Sequence, residues 1–203
     1  MRNIFLFLFI LTAFTAKAQN TNISALNSRQ FNKYWKIESE SPDYKVKFIG
    51  DTVEILSPKG LNLWRKEKMK GNITIEYDAC VVLESEGDRL SDLNCFWMAS
   101  DPKHPDNIFK REKWRKGIFN NCYSLKLYYL GYGGNDNTTT RFRRYDGDES
   151  GITEPNRRPA ILKEYSDADN LLLPNHWYHI KITNEGNRVC YYIDGKRLVD
   201  FRD

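Results

Sequence analysis

Cysteine and histidine are scarce in this sequence. It contains three histidines and four cysteines, Cys80, Cys95, Cys122 and Cys190. The cysteines are far apart along the chain, whereas the ligands of structural zinc sites come in pairs separated by only a few residues. The spacing argues against a zinc site. Each cysteine lies in an apolar or alternating run, where a free thiol behaves as a small buried apolar group.

A calcium-binding motif is also lacking. Asp136, Asn137, Asp146 and Asp148 lie in polar segments that offer oxygen ligands. None of these segments has the spacing of a known calcium-binding loop. The sequence therefore predicts no cofactor and leaves a structural Ca²⁺ without the support of a motif.

Charge of one sign is not in excess. Lys and Arg number 31 against 27 Asp and Glu, which gives a formal net charge of +4. This balance is too weak and too dispersed for a nucleic-acid-binding protein. An acidic ligand is still compatible with it.

Long apolar runs are limited to the first residues. Arg2 precedes an apolar run over residues 4–14, and Ala16-Lys17-Ala18 follows it. A positive start, a short apolar run and small residues before a cleavage point are typical of a signal peptide. The run is shorter than the roughly 20 residues that a membrane-spanning helix needs. We therefore expect a signal peptide over 1–18, cleavage near Ala18–Gln19, no membrane span, and a periplasmic or secreted protein.

What the sequence does contain is alternation between apolar and polar residues. Residues 19–203 have the length of one domain. Short alternating segments separated by turn residues, with no long helical stripe, favour a two-sheet antiparallel β-sandwich. The predicted strands are 45–49, 52–56, 72–83, 93–99, 123–130, 139–145, 179–183 and 188–193.

The last segment refines this fold class. Trp177 opens a strand, and an Asp194-Gly195 turn follows the next strand. This arrangement is similar to the end of concanavalin A-like, or laminin G-like, jelly rolls. Such a jelly roll usually continues with one more strand, but the chain stops at Asp203. The prediction is an all-β jelly-roll sandwich that either lacks its last strand or is truncated at the C-terminus, which would leave an unpaired sheet edge.

The centre of the chain carries a second resemblance. Aromatic residues make up 14% of the sequence, and they cluster with glycine and arginine in Gly131-Tyr132-Gly133-Gly134-Asn135 and in the string from Arg141 to Gly147. These strings resemble the YesU-like jelly-roll proteins of bacterial gene clusters for pectin and rhamnogalacturonan breakdown. The resemblance covers nearly the whole mature chain. It implies the concanavalin A-like fold and a role with an acidic, uronate-containing polysaccharide or oligosaccharide as partner.

Alternation along two central strands suggests where such a ligand binds. It puts Lys126 and Tyr128 on one face of their strand, and Arg141, Arg143 and Tyr145 on one face of the next. We expect the two faces to adjoin. Guanidinium groups hold a carboxylate through paired hydrogen bonds, and tyrosine offers a ring face and a hydroxyl.

A lyase acting by β-elimination needs a group that neutralises the uronate carboxylate, a base for the C5 proton and an acid for the departing O4. Jelly-roll lyases commonly use tyrosine for the proton transfers, but the Gln-x-His motif of the alginate-lyase type is absent from this sequence. We therefore assign the roles from the local pattern. The predicted catalytic residues are Tyr128 and Tyr132 for proton transfer with Arg141 and Arg143 as neutralising cations, and the predicted substrate-binding residues are Asn94, Trp97, Lys126 and Tyr145.

Three functions remain open from the sequence. The first is a polysaccharide lyase. The second is a carbohydrate-binding module without catalysis, which needs the aromatic residues but no proton-transfer pair. The third is an auxiliary structural protein whose exposed aromatic residues form a protein interface. The sequence leaves the oligomeric state open.

Overall fold

The computed structural model describes residues 3–7 and 28–203. Three short helical segments are described, α1 (Ser28–Tyr34), α2 (Glu112–Arg115) and α3 (Gly134–Asn137), the last with left-handed backbone angles at Asn135 and Asp136. The 3-10 segments are Ile108–Arg111, Phe119–Ser124, Glu149–Ile152, Pro155–Arg157 and Ala168–Asn170. The strands are β1 (Asn3–Phe7), β2 (Trp35–Ser39), β3 (Lys45–Ile49), β4 (Thr52–Ser57), β5 (Leu61–Arg65), β6 (Ile73–Cys80), β7 (Leu93–Ser100), β8 (Lys126–Gly133), β9 (Thr139–Asp146), β10 (Ile161–Tyr165), β11 (Trp177–Glu185), β12 (Arg188–Ile193) and β13 (Lys196–Arg202).

Two antiparallel sheets form a sandwich. One has the order β10-β9-β8-β7, and the other contains β13-β12-β11-β6 and continues through β1 to β4 and β3. This architecture confirms the predicted antiparallel jelly-roll sandwich. β13 lies at the edge of its sheet, and no further strand pairs with it among the residues that the structure describes.

The main core lies between the two sheets. Strand β11 alternates between buried and more exposed residues, with Ile180 and Ile182 fully buried. They pack with Trp97, Leu130 and Phe142 from the four-stranded sheet. Burial of such side chains stabilises a fold by roughly 1.5–3 kcal/mol each, so this layer holds the sheets together.

A third, two-stranded sheet covers part of the molecule. β2 and β5 pair over five residues, and Trp64 on β5 joins a second buried cluster with Tyr123, Leu127 and Tyr145. That cluster packs on the face of the four-stranded sheet that is turned away from the main core. Both faces of the four-stranded sheet are therefore partly covered.

Most of the predicted strands are found near their expected positions. The strand expected over 123–130 is the exception, because residues 119–124 form a 3-10 segment and β8 begins only at Lys126. The turn at Asp194-Gly195 has positive φ at both residues, as a tight hairpin requires.

The predicted signal peptide lies outside the described residues, apart from the backbone of 3–7, and it stays a prediction. No helix in the described part of the chain is long and apolar enough to cross a membrane.

Candidate functional site

A cleft of about 630 Å³ opens on the outer face of the four-stranded sheet. Its floor is formed by side chains that alternate with those of the main core: Asn94 and Phe96 on β7, Tyr129 and Gly131 on β8, and Arg141 and Arg143 on β9. Strand pairing brings them side by side, because Tyr129 lies between Phe96 and Arg143, and Gly131 lies between Asn94 and Arg141.

A tyrosine and a glycine shape the centre of the floor. The hydroxyl of Tyr129 reaches over Gly131 and donates a hydrogen bond to Asn94 Oδ1 at 2.9 Å. Burial raises the pKa of Tyr129, Asp92 raises it further, and Arg143 and Arg141 oppose the rise. Tyr129 is therefore a neutral hydroxyl at physiological pH.

Two arginines face the cleft without a carboxylate partner. Arg143 donates a hydrogen bond to the carbonyl oxygen of Pro159, and Arg158 is exposed at the cleft wall. Within residues 28–203, neither forms an ion pair with Asp or Glu. By contrast, Arg141 is ion-paired with Glu164. A charged guanidinium group that is not already paired is a ready binding group for an anion.

Tyr123 lies close to both of these arginines. Burial raises the pKa of its hydroxyl, whereas the positive charges of Arg158 and Arg143 act against that rise. Tyr123 is among the residues that line the cleft, although only 6% of it is exposed, and its hydroxyl makes no hydrogen bond to another described residue. This hydroxyl is therefore the polar group of the cleft nearest in chemistry to a partner for a ligand held by the two cations.

Aromatic rings bound this end of the cleft. Trp64 stacks on Phe96 with ring centroids 5.7 Å apart and an interplanar angle of 18°. Phe119 packs edge-on against Tyr129 at 5.5 Å and is itself 37% exposed. Of these rings, Phe119 offers an exposed apolar surface at this end of the cleft.

The opposite end of the cleft is polar. Arg89 Nη1 lies 2.7 Å from Asp92 Oδ2, and Arg89 also forms an ion pair with Asp136. Asn135 and Thr139 line the same end and bond to each other through Asn135 Nδ2 and Thr139 Oγ1 at 2.9 Å. Two further carboxylates line the cleft wall and are paired with lysines, Glu40 with Lys59 and Glu76 with Lys181.

Three of the predicted site residues, Asn94, Arg141 and Arg143, line this cleft. The expectation that Tyr128 lies beside these arginines is wrong. Tyr128 is opposite Arg144 on β9 and points to the other face of the sheet, where it packs on Trp97 at 5.7 Å. Its hydroxyl donates to Asp203 at 2.6 Å, and burial, followed by that carboxylate, raises its pKa to about 12.

The remaining predicted residues also lie away from the cleft surface. Tyr132 is buried in the main core against Tyr178, and Trp97 is 2% exposed in the same core. Tyr145 does share a face with Arg143, as expected, but it is buried beneath the 3-10 segment Phe119–Ser124. Lys126 is exposed at the far end of β8 and does not line the cleft.

Sequence reasoning missed Tyr129, Tyr123 and Arg158. Alternation puts Tyr129 on the face of its strand opposite Lys126 and Tyr128, and the sequence analysis sought the ligand on the Tyr128 face. Arg158 follows a 3-10 segment and comes to the cleft from a loop, so strand periodicity gives no signal for it.

The described residues offer no metal centre. No group of three or more His, Cys, Asp or Glu side chains in this part of the chain is arranged to hold a metal ion. The four cysteines are free thiols. Burial raises the pKa of Cys95, which lines the cleft, to about 12, so this thiol is not a nucleophile at neutral pH.

Comparison with known proteins gives one family match. The family described as Domain of unknown function (DUF6250) matches residues 55–203. This range contains β7, β8 and β9 and every arginine and tyrosine of the cleft described above. No curated protein and no solved structure matches the chain.

Proposed function

The chain belongs to the family Domain of unknown function (DUF6250), and from the chemistry of its cleft we propose that it binds a uronate-containing polysaccharide or oligosaccharide there. The observation that carries the proposal is the pair of arginines, Arg143 and Arg158, that face the cleft with no carboxylate partner in the described chain. The carboxylate of a bound uronate would be the anionic partner of these two arginines.

The neighbours of the arginines fit a sugar ring. Phe119, which is 37% exposed, gives an apolar surface for its C–H face, and the hydroxyl of Tyr123 gives a hydrogen-bonding group for its oxygen atoms. Binding sites of this kind combine mostly apolar walls with a few polar groups that fix orientation. The cleft has both kinds of residue in its lining.

The position of Tyr123 favours cleavage by β-elimination as a second candidate function. With the carboxylate held by Arg143 and Arg158, the Tyr123 phenolate would take the C5 proton. The C4–O4 bond would then break, a C4–C5 double bond would form, and the departing O4 would receive the proton. Since burial raises the pKa of Tyr123, the phenolate is scarce at neutral pH, and the rate is expected to increase toward alkaline pH.

Binding and cleavage are tested together. The full-length mature protein is mixed with rhamnogalacturonan, homogalacturonan, glucuronan and ulvan, and affinity electrophoresis is followed alongside the ultraviolet absorbance of unsaturated uronides. We expect retarded migration with at least one glycan. Arg143→Ala is expected to weaken binding about tenfold or more, because a hydrogen-bonded charge pair is lost. If elimination occurs, Tyr123→Phe is expected to abolish the absorbance while the protein still binds.

Tyr128→Phe is the matched control, since Tyr128 lies on β8 and points to the face of the four-stranded sheet that is turned away from the cleft. It is expected to leave binding and absorbance unchanged. Binding without absorbance would identify a carbohydrate-binding module. The absence of binding to all four glycans would refute the proposal, and a stable oligomer under those conditions would favour the auxiliary structural role.

A further inference from the structure

The floor of the cleft holds a side-chain amide in a fixed position. Asn94 on β7 lies directly opposite Gly131 on β8, and its Oδ1 accepts a hydrogen bond from the Tyr129 hydroxyl at 2.9 Å. A side-chain amide has an acceptor oxygen at one end and a nitrogen with two donor hydrogens at the other. Because the amide group is planar, holding its oxygen also determines where its nitrogen points.

The nitrogen of this amide is open to a partner from outside the chain. Within residues 28–203, Asn94 Nδ2 donates no hydrogen bond, and it is not one of the buried polar atoms that lack a partner. It is therefore in contact with solvent, in a partly buried residue that lines the cleft. Arg141 on β9 flanks Gly131 on the other side. Since neighbouring strands are about 4.8 Å apart, the backbones of Asn94 and Arg141 are roughly 10 Å apart with only a glycine between them.

The tyrosine that donates to this amide is itself confined. Tyr129 is 6% exposed, and its ring packs on Phe96, Phe119 and Tyr145 with centroids 5.2, 5.5 and 5.7 Å away. Burial raises the pKa of its hydroxyl, which therefore keeps its proton and donates it to Asn94 Oδ1. Asn94 is the one hydrogen-bond partner of this hydroxyl in the described part of the chain. A donor held this firmly fixes the orientation of the group that accepts its bond.

We propose that Tyr129 is a positioning residue that holds the Asn94 amide with its NH2 group toward the cleft, where Asn94 donates to an acceptor oxygen of the bound glycan. The inference rests on the proposed function for the identity of the ligand, but it assigns a role to Tyr129 that the proposed function does not use. Without the Tyr129 hydroxyl the amide is free to turn. A turned amide presents its oxygen to the cleft, and an acceptor cannot bond to another acceptor.

The test is a double-mutant cycle on glycan binding by the full-length mature protein, measured by isothermal titration calorimetry. The probes are oligosaccharides of rhamnogalacturonan, homogalacturonan, glucuronan and ulvan. Asn94→Ala removes the donor and is expected to weaken binding about tenfold. Tyr129→Phe keeps the ring and removes only the hydroxyl, and is expected to weaken binding about threefold. The double variant is expected to bind no more weakly than Asn94→Ala, because Tyr129 acts through Asn94.

The NMR signals of the Asn94 side-chain NH2 group give a readout that a purely structural role would not move. These signals are assigned by their absence from the Asn94→Asp variant, and they are expected to shift when a glycan binds. In free Tyr129→Phe the order parameter of this amide is expected to be lower than in the wild type. Tyr145→Phe is the matched control, because it removes a hydroxyl without a hydrogen-bond partner in the described chain from the same buried cluster. It is expected to leave glycan affinity and the Asn94 signals unchanged.

The outcomes separate this inference from the proposed function. Additive effects of Asn94→Ala and Tyr129→Phe on affinity, or Asn94 signals that stay fixed when a glycan binds, would overturn the positioning role and leave the proposed function standing. An equal loss of affinity in Tyr145→Phe and Tyr129→Phe would do the same, since it would trace the effect to packing of the cluster. No binding of any of the four probes would overturn both.

Discussion

Gly131 determines how Tyr129 lies on the floor of the cleft. A Cβ atom at this position would overlap the hydroxyl oxygen of Tyr129, and it would lie 2.7 Å from Tyr129 Cζ and 3.0 Å from Asn94 Oδ1. Only a residue without a side chain lets the tyrosine ring extend along its own strand. The flat floor and the Tyr129–Asn94 hydrogen bond therefore both depend on glycine.

Gly131→Ala is expected to displace the Tyr129 ring into the cleft and to break its bond with Asn94. Overpacking of this kind costs about 1–3 kcal/mol of folding free energy. We expect uronate-glycan affinity to fall about tenfold, measured by calorimetry, with a moderate decrease in unfolding free energy. Gly134→Ala is the control, because a Cβ there meets its nearest neighbour at 3.6 Å. Equal effects of the two changes would show that the floor does not need Gly131.

The residue scale also shows what alternation in the sequence could and could not predict. It correctly put Arg141 and Arg143 on one face of β9 and Tyr128 and Tyr129 on opposite faces of β8. It gave no information about which face of β8 is turned toward the second sheet, because apolar or aromatic residues occupy both. The predicted residue, Tyr128, is therefore the sequence neighbour of Tyr129, which is the tyrosine that lines the cleft.

At the scale of elements, a buried ion pair joins the two-stranded sheet to the helical segment beside it. Glu38 on β2 accepts hydrogen bonds from Arg115 at the end of α2, with Arg115 Nη2 2.5 Å from Glu38 Oε1. The two side chains are 1% and 0% exposed. Burial raises the pKa of Glu38, and the bonds from Arg115 oppose this. Because the wall of the cleft includes residues of β5, this pair holds the wall in position.

Arg115→Met is expected to lower the free energy of unfolding by about 3–5 kcal/mol, because it leaves the Glu38 carboxylate buried without its partner. The double variant Glu38→Leu, Arg115→Met is expected to regain part of that loss. Urea denaturation measures both. The partly exposed pair of Lys181 and Glu76 provides the control, and Lys181→Met is expected to change stability by less than about 1 kcal/mol. A double variant no more stable than Arg115→Met would contradict this account.

Strands with clear alternation could be predicted from the sequence, whereas several strands without it were missed. Strands β3 and β11 show clear alternation and were expected near their observed positions. Four of the five residues of β10 are exposed, so it carries no apolar period, and only its pairing with β9 makes it a strand. The ion pair of Glu38 and Arg115 joins residues far apart in sequence, and no local pattern indicates it.

At the scale of the whole molecule, exposed carboxylates paired with arginine set the response to acid. Arg188 holds the pKa of Asp200 at about 2, and the Ser150 hydroxyl followed by Arg157 holds the pKa of Asp148 at about 2. The contribution of Glu38 to folding stability depends on pH in the opposite direction. Because its pKa is raised by burial, this contribution is complete at low pH and is lost as the pH increases.

Asp200 links the last two strands, and its bonds to Arg188 join β13 to β12. Its pKa in the unfolded chain is about 3.9, above the folded value, so its contribution to stability is present above that pH and is lost as the pH falls toward 2. We therefore expect the melting temperature to decrease between about pH 5 and pH 2. In the Asp200→Asn variant this decrease in melting temperature is expected to be smaller, because the titrating carboxylate is gone. The control variant, Asp51→Asn in the exposed turn after β3, is expected to retain the wild-type profile.

Calorimetric scans across this pH range measure the melting temperature of all three proteins. An Asp200→Asn profile parallel to that of the wild type would show that the edge strand is held by other contacts.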